Sequence, residues 1–392
     1  MEFNANLKKV KPSGIRKLFD LAQGKKDLIN FGIGEPDFRT PYHIQEAAKK
    51  ALDESYTRYT PNLGFLDLRK ALSDKLNQKN KIQVVPEEIL VAPGGTHALF
   101  ISFYTLLNPG DEVIIPDPGF VAYEPQVYFA GGVPVYLPLR SKNNFHPDLE
   151  ELKDCITSRT KAILLNSPSN PTGAMFNKEE LSAIAQLSQE KDIFVISDEL
   201  YEDIIFDGKE HVCIASFPGM KERTISIFGF SKSYAMTGWR LAYLATERNL
   251  IKEMNKLQQY TAVCANSIAQ RAGLAGITGS QDCVKEMATS YQKRRDILIK
   301  GINEIEGLSC MVPEGAFYVF VDISETGMTC EELSIYLLDE YRVVTIPGNA
   351  FGKQGEGFIR LSFAASLEDI IEGITRIKKG IENLKLSILN SR

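Results

Sequence analysis

Residues Lys161–Asp198 read KAILLNSPSNPTGAMFNKEELSAIAQLSQEKDIFVISD. KAILLN (Lys161–Asn166) and IFVIS (Ile193–Ser197) are short, almost wholly apolar runs, and Lys178–Glu190 between them has a helical pattern. A strand with one wet face alternates apolar and polar residues, whereas a strand covered on both faces does not. Strand, helix, strand in this order therefore predicts a buried parallel pair joined by a crossover helix.

The pattern continues in both directions. Upstream, EILVA (Glu88–Ala92) runs through Pro93-Gly94-Gly95 into an apolar helical stretch. EVII (Glu112–Ile115), Val133–Leu137 and a helical pattern at Leu149–Ile156 follow. Downstream, Thr224–Phe228 and Arg240–Ala245 read as two more strands. The class is α/β, with a mostly parallel seven-stranded sheet between layers of helices. In such sheets ligands bind beyond the carboxyl ends of the strands. The last third differs: helical patterns at Asn249–Ile277 and Gln281–Ile305, then a strand at Phe317–Asp322, predict a smaller α+β unit.

At 392 residues the chain exceeds one simple core. Hydrophobic residues at 44% and charged residues at 24% are ordinary for a soluble protein, and the net charge of −5 argues against a nucleic-acid partner. The short basic group Lys8, Lys9, Lys11 and Arg16 reads as a solvated helix entry. Six scattered cysteines form neither a metal-ligand spacing nor a disulfide framework, so no metal is expected. Met1–Ser13 has no apolar core of a signal, and no apolar run reaches about 18 residues. A cytoplasmic location is the expectation. No flexible linker or repeat interrupts the chain, so its parts are expected to pack closely.

Four strand ends carry unusual residues. Gly94-Gly95-Thr96 opens a helix, whose first N–H groups suit a phosphate, although a plain tight turn reads the same way. The G-x-G-x-x-G and G-x-x-x-x-G-K patterns are absent. Pro168, Pro171 and Gly173 constrain the loop that presents Asn170. IFVIS ends at Asp198, followed by Glu199 and Tyr201; a carboxylate there needs a positive partner or serves as a helix N-cap. Finally, Lys232 lies among small hydroxyl residues in FSKSYAMTGWR (Phe230–Arg240), a setting for a desolvated amine able to form a Schiff base. Taken singly, each of these is weak.

Together they resemble the fold-type I, pyridoxal-phosphate-dependent class-I aminotransferases of the aspartate/aromatic family. SPSNPTGA (Ser167–Ala174), SDELY (Ser197–Tyr201), FSKSYAMTGWRLAY (Phe230–Tyr243) and GFIRLSFA (Gly357–Ala364) occur in that family's order and spacing, and GIGEPDF (Gly32–Phe38) is similar to its prokaryotic branch. The resemblance implies that Lys232 binds the cofactor covalently and shuttles protons, and that Asp198 pairs with the pyridinium nitrogen. It gives Tyr201 and Asn170 to the phenolic oxygen, and Gly95, Thr96, Ser231 and Arg240 to the phosphate. Phe120 would stack on the ring, Tyr59 would reach the phosphate of a neighbouring subunit, and Arg360 with the main chain at Gly34 would hold the substrate carboxylate.

Two residues depart from the family pattern. Gly229 stands where serine is frequent, removing one phosphate hydroxyl, and Thr96 stands where some aspartate-specific members have lysine. The implied activity is ping-pong transfer of an amino group from an L-amino acid, aspartate or aromatic, to 2-oxoglutarate. A large domain at residues 45–270, a small one from 1–44 with 271–392, and a homodimer with shared sites complete the expectation. A C–S β-lyase on the same fold would keep Lys232, Asp198 and Arg360. A ligand-sensing regulator would need an added DNA-binding domain, and only about 30 residues precede GIGEPDF.

Overall fold

The computed structural model describes residues 4–10 and 14–390. Helices α1 (Ala5–Lys9) and α2 (Gly14–Ala22) lead to β1 (Ile29–Asn30), α3 (Tyr42–Asp53) and α4 (Leu66–Lys75), which a π-helical turn extends through Leu76–Asn80. Lys8 and Lys9 are exposed at the end of α1; Lys11 and the Arg16 side chain lie outside the described residues. The central segment then alternates as expected: β2 (Ile89–Ala92), α5 (Gly95–Leu106), β3 (Glu112–Asp117), α6 (Tyr123–Phe129), β4 (Val133–Pro138), α7 (Leu149–Asp154), β5 (Thr160–Asn166), α8 (Lys178–Glu190), β6 (Phe194–Asp198), β7 (Thr224–Gly229) and β8 (Ala242–Ala245).

These strands form one seven-stranded sheet in the order β2-β8-β7-β6-β5-β3-β4. All neighbours are parallel except that β8 runs against both β2 and β7. Every residue of β2 and β8 is buried, as is all but the first residue of β6, because helices cover both faces. That is why these strands read as unbroken apolar runs. Edge strand β4 instead mixes buried, half-buried and exposed positions.

The reversal of β8 matters for the site. Gly229 at the end of β7 and Ala92 at the end of β2 both pair with Ala242, the first residue of β8. Arg240 therefore sits at the same rim as the ends of its neighbours, although it precedes its strand. It adopts a left-handed conformation there (φ 53°), which cuts the strand expected over Arg240–Ala245 to Ala242–Ala245.

Beyond β8 the helix expected over Asn249–Ile277 is two helices, α9 (Arg248–Thr261) and α10 (Ser267–Thr278). Val263 takes φ 64°, and Asn266 caps α10 by accepting the Ala269 N–H at 2.8 Å. An asparagine before a helical run is a start signal, and it overrides the continuous periodicity. Helix α10 packs on α3 and α4.

After α11 (Asp282–Asn303), strands β9 (Ser309–Cys310) and β10 (Tyr318–Asp322), helix α12 (Cys330–Tyr341), β11 (Val343–Val344), β12 (Ile346–Pro347), β13 (Phe358–Ser362) and α13 (Leu367–Asn390) complete the chain. A four-stranded antiparallel sheet, β12-β13-β10-β9, results. Strand β1 pairs in parallel with β11, and Phe31 O accepts the Ser362 N–H at 2.8 Å, so the early segment joins this C-terminal unit. One apolar cluster includes Leu18, Leu165, Phe320 and Val344, and it packs the two units together.

Candidate active site

A cavity of about 520 Å³ opens at the carboxyl rim of the large sheet. Its lining contains Gly34, Gly95, Thr96, Phe120, Asn170, Asp198, Tyr201, Ser231, Lys232, Arg240 and Arg360, that is, every expected site residue except Tyr59. Tyr59 is 86% exposed and stands apart from the cavity of its own chain.

Lys232 follows β7 and faces this cavity. Its ammonium donates to the Gly34 carbonyl and lies 5.7 and 5.5 Å from the rings of Tyr201 and Phe317. Enclosure, with Arg360 nearby, pushes it down from the usual lysine range to about 8. Asp198 ends β6 and is buried. Its carboxylate accepts Tyr123 Oη–H at 2.7 Å and the Leu200 N–H at 3.3 Å. Burial raises it to about 6 despite these two bonds. A turn, not a helix, follows Asp198, which removes the helix N-cap reading. Among the described residues Asp198 makes no ion pair, and the one positive charge that acts on it is that of Lys232.

On the opposite wall, Arg360 of β13 is buried. Its Nη1 donates to Asn170 Oδ1 at 2.9 Å and its Nη2 to the Gly32 carbonyl at 2.7 Å. The guanidinium lies 4.3 Å from the Tyr318 ring and 4.9 Å from that of Phe351, and its Nε has no partner. Asn170 is itself held, because its N–H donates to Asn166 Oδ1 at 2.8 Å while Asn166 Nδ2 donates to the Asp198 carbonyl at 3.1 Å. Tyr201 Oη and Tyr318 Oη are 2.9 Å apart, and burial raises both phenols.

At the third corner, helix α5 starts after Gly94, which has φ 90°. A Cβ on Gly94 would stand 2.4 Å from Arg240 Nη2, so only glycine permits both the backbone angle and the guanidinium beside the helix N-terminus. Unpaired first-turn N–H groups and an arginine together form an anion seat.

Sequence reasoning missed three residues. Tyr123, three positions after Phe120, holds Asp198, and spacing on the α6 entry was its one signal. Tyr318 looks like any apolar strand residue, yet it supports Arg360. Leu200 is the third, and it accounts for Gly229. A Cβ on Gly229 would stand 2.5 Å from Leu200 Cδ2, and one on Gly95 2.7 Å from Leu200 Cδ1. Leucine fills the space that a serine side chain at position 229 would enter.

These features fit pyridoxal 5′-phosphate. An amine of lowered basicity, a buried carboxylate without an ion pair and a basic helix N-terminus match its aldehyde, ring nitrogen and phosphate. A metal is a different matter. Glu199, His211 and Cys213 bring carboxylate, imidazole and thiol within 4.8 Å of one another. Glu199 Oε2, however, lies 2.8 Å from His211 Nε2 and 2.6 Å from Cys213 Sγ, whereas donors around a tetrahedral zinc stand roughly 3.5 Å apart. This group is a hydrogen-bonded network.

Comparison with known proteins agrees with the geometry. An aspartate aminotransferase of Pyrococcus abyssi is 45% identical over 390 residues, covering 99% of this chain and all of that protein. The aromatic-amino-acid aminotransferase 2 of Thermococcus litoralis is 42% identical, covering 98% of this chain and all of that one. The crystal structure of an aromatic aminotransferase from Pyrococcus horikoshii superposes with a TM-score of 0.90 at 43% identity, over 95% of this chain and all of that one. The model of the family "Aminotransferase class I and II" matches residues 26–377; the chain belongs to that family and is a fold-type I, pyridoxal-phosphate-dependent aminotransferase.

Proposed function

We propose that the protein transfers the amino group of an L-amino acid, aspartate or an aromatic one, to 2-oxoglutarate by a ping-pong route, with both half-reactions in the Lys232 cavity. One observation carries the assignment of roles. A single cavity holds an amine of lowered basicity, a buried carboxylate lacking an ion pair and a buried arginine with donors to spare. Bound pyridoxal phosphate supplies the electron sink that lets an amino acid give up its α-proton.

The residues act around that chemistry. Lys232 Nζ would hold the cofactor covalently and, as a free amine, would take and return the proton at the substrate carbon. Asp198, oriented by Tyr123, would keep the ring nitrogen protonated. Tyr201 and Asn170 bond the phenolic oxygen. Arg240, Ser231, Gly95 and Thr96 seat the phosphate, and Phe120 covers the ring. Arg360 clamps the substrate carboxylate with the Gly34 backbone beside it, and its two anchors to Asn170 and Gly32 set the angle of the fork.

The same reading divides the chain into a large domain at 45–270 and a small domain from 1–44 and 271–392, the latter closing over the substrate and excluding water. Relatives named for aspartate and for aromatic amino acids support both donor classes. The exposure of Tyr59 supports a homodimer in which it reaches the neighbouring site. Among the described residues no helix is long and apolar enough to cross a membrane, and we place the protein in the cytoplasm.

The test is a steady-state assay of the cofactor-loaded protein with aspartate, tyrosine and phenylalanine, with and without 2-oxoglutarate. Formation of 2-oxo acid matched mole for mole by glutamate is expected. Turnover of any donor without an acceptor, releasing ammonia, would overturn the proposal in favour of a lyase.

A further inference from the structure

The segment Asp198–Glu202 has two sides. Asp198, Leu200 and Tyr201 line the cavity, while Glu199 and Glu202 are buried outside it. Glu202 forms an ion pair with Lys75 at the end of α4 and accepts Asn80 Nδ2–H at 2.7 Å. Asn80 Nδ2 also approaches Cys213 Sγ at 3.1 Å, and Cys213 and His211 both reach Glu199. Lys75 continues to the sheet: its Nζ is 3.1 Å from Tyr243 Oη and 4.5 Å from the Phe228 ring. Phe228 lies on β7, just before Lys232, and Tyr243 lies on β8, just after Arg240.

Lys75 thus touches, from behind, three backbone segments that present Tyr201, Lys232 and Arg240 to the cavity. Burial alone would raise Glu202, but the positive charges of Lys75 first and Lys79 next more than offset it and hold it below the usual carboxylate range. A buried ion pair is a costly device for stability, since apolar residues of similar volume commonly do as well. Its distinctive property is a fixed geometry.

We infer that the Lys75–Glu202 pair is a positioning element for amino transfer, fixing the height of Tyr201 and the approach of the β7 and β8 rims to the cofactor. The inference rests on the proposed assignment of Tyr201 to the cofactor.

Two variants of the cofactor-loaded protein test it. Lys75→Met combined with Glu202→Gln removes the attraction without leaving a lone buried charge, and keeps an acceptor for Asn80. Tyr201→Phe reports directly on the cofactor contact. A displacement of about 1 Å costs up to 100-fold in rate, so the double variant is expected to lose 10- to 100-fold in kcat with little change in KM. Tyr201→Phe is expected to move the pH midpoint of the visible absorbance by about half a unit or more, and the double variant to move it too. Thermal unfolding midpoints check that both variants are folded. If Tyr201→Phe shifts the midpoint and the double variant changes neither midpoint nor kcat, the positioning role is overturned and the proposed cofactor site stands. If Tyr201→Phe shifts nothing, the Tyr201 assignment falls and the inference falls with it.

Discussion

Replacing Arg360 by lysine isolates the fork from the charge. The guanidinium has five N–H donors. Two are committed, one to Asn170 Oδ1 at 2.9 Å and one to the Gly32 carbonyl at 2.7 Å, leaving three, including the unpartnered Nε. Two parallel bonds to a carboxylate are therefore available without breaking either anchor. An ammonium has three donors at one point, so keeping both anchors leaves one for substrate. One charge-assisted hydrogen bond is lost, about 1.5–3 kcal/mol. At 1.36 kcal/mol per tenfold, Arg360→Lys should lower kcat/KM roughly 10- to 150-fold. The α-carboxylate is common to all donors, so the loss should be alike for aspartate and phenylalanine, and the absorbance of the loaded protein should not change. The assay is kcat/KM for each donor against saturating 2-oxoglutarate. A loss under threefold, or one differing tenfold between donors, would refute the reasoning and move the carboxylate site elsewhere.

Asp198→Asn removes the buried negative charge but keeps an acceptor for Tyr123; kcat should fall roughly 100-fold or more, the scale of lost preorganised electrostatics, with the cofactor still bound in its absorbance spectrum. Gly229→Ser should destabilise the protein by about 1–3 kcal/mol through contact with Leu200, read as a lower unfolding midpoint, and adding Leu200→Ala should recover most of it; an unchanged midpoint in the single variant would show that Leu200 moves freely. His146 lies 2.9 Å from Glu180 and 3.7 Å from Glu314, and these two carboxylates raise it to about 9. The folded value exceeds the unfolded one, so its stabilisation is complete below about pH 6.5 and is lost as pH rises through about 9. His146→Gln should therefore destabilise the protein at pH 6, on the order of 1–2 kcal/mol after solvent screening, and not at pH 10, as read from thermal unfolding.

The alternating strands and helices from Ile89 to Ala245 were legible because a strand covered on both faces needs apolar residues throughout, and that is a local property. Lys232, Asp198, Asn170 and Arg360 were legible through their motifs, the first three at or just beyond strand ends of the large sheet and Arg360 in the middle of β13. The break at Ala262–Asn266 did carry a local mark, Asn266 as a helix start, but the continuous apolar periodicity on either side concealed it. Local sequence did not mark the antiparallel run of β8, since strand direction is a matter of pairing. Only the tertiary structure brought Arg360 to Asn170 across 190 residues, placed Tyr123 under Asp198 and set the Leu200 side chain against position 229. Periodicity and capping act between near neighbours in the chain. The contacts that tune an amine, hold a carboxylate or exclude a hydroxyl are made by packing segments far apart in sequence, and they exist only once those segments are buried against each other.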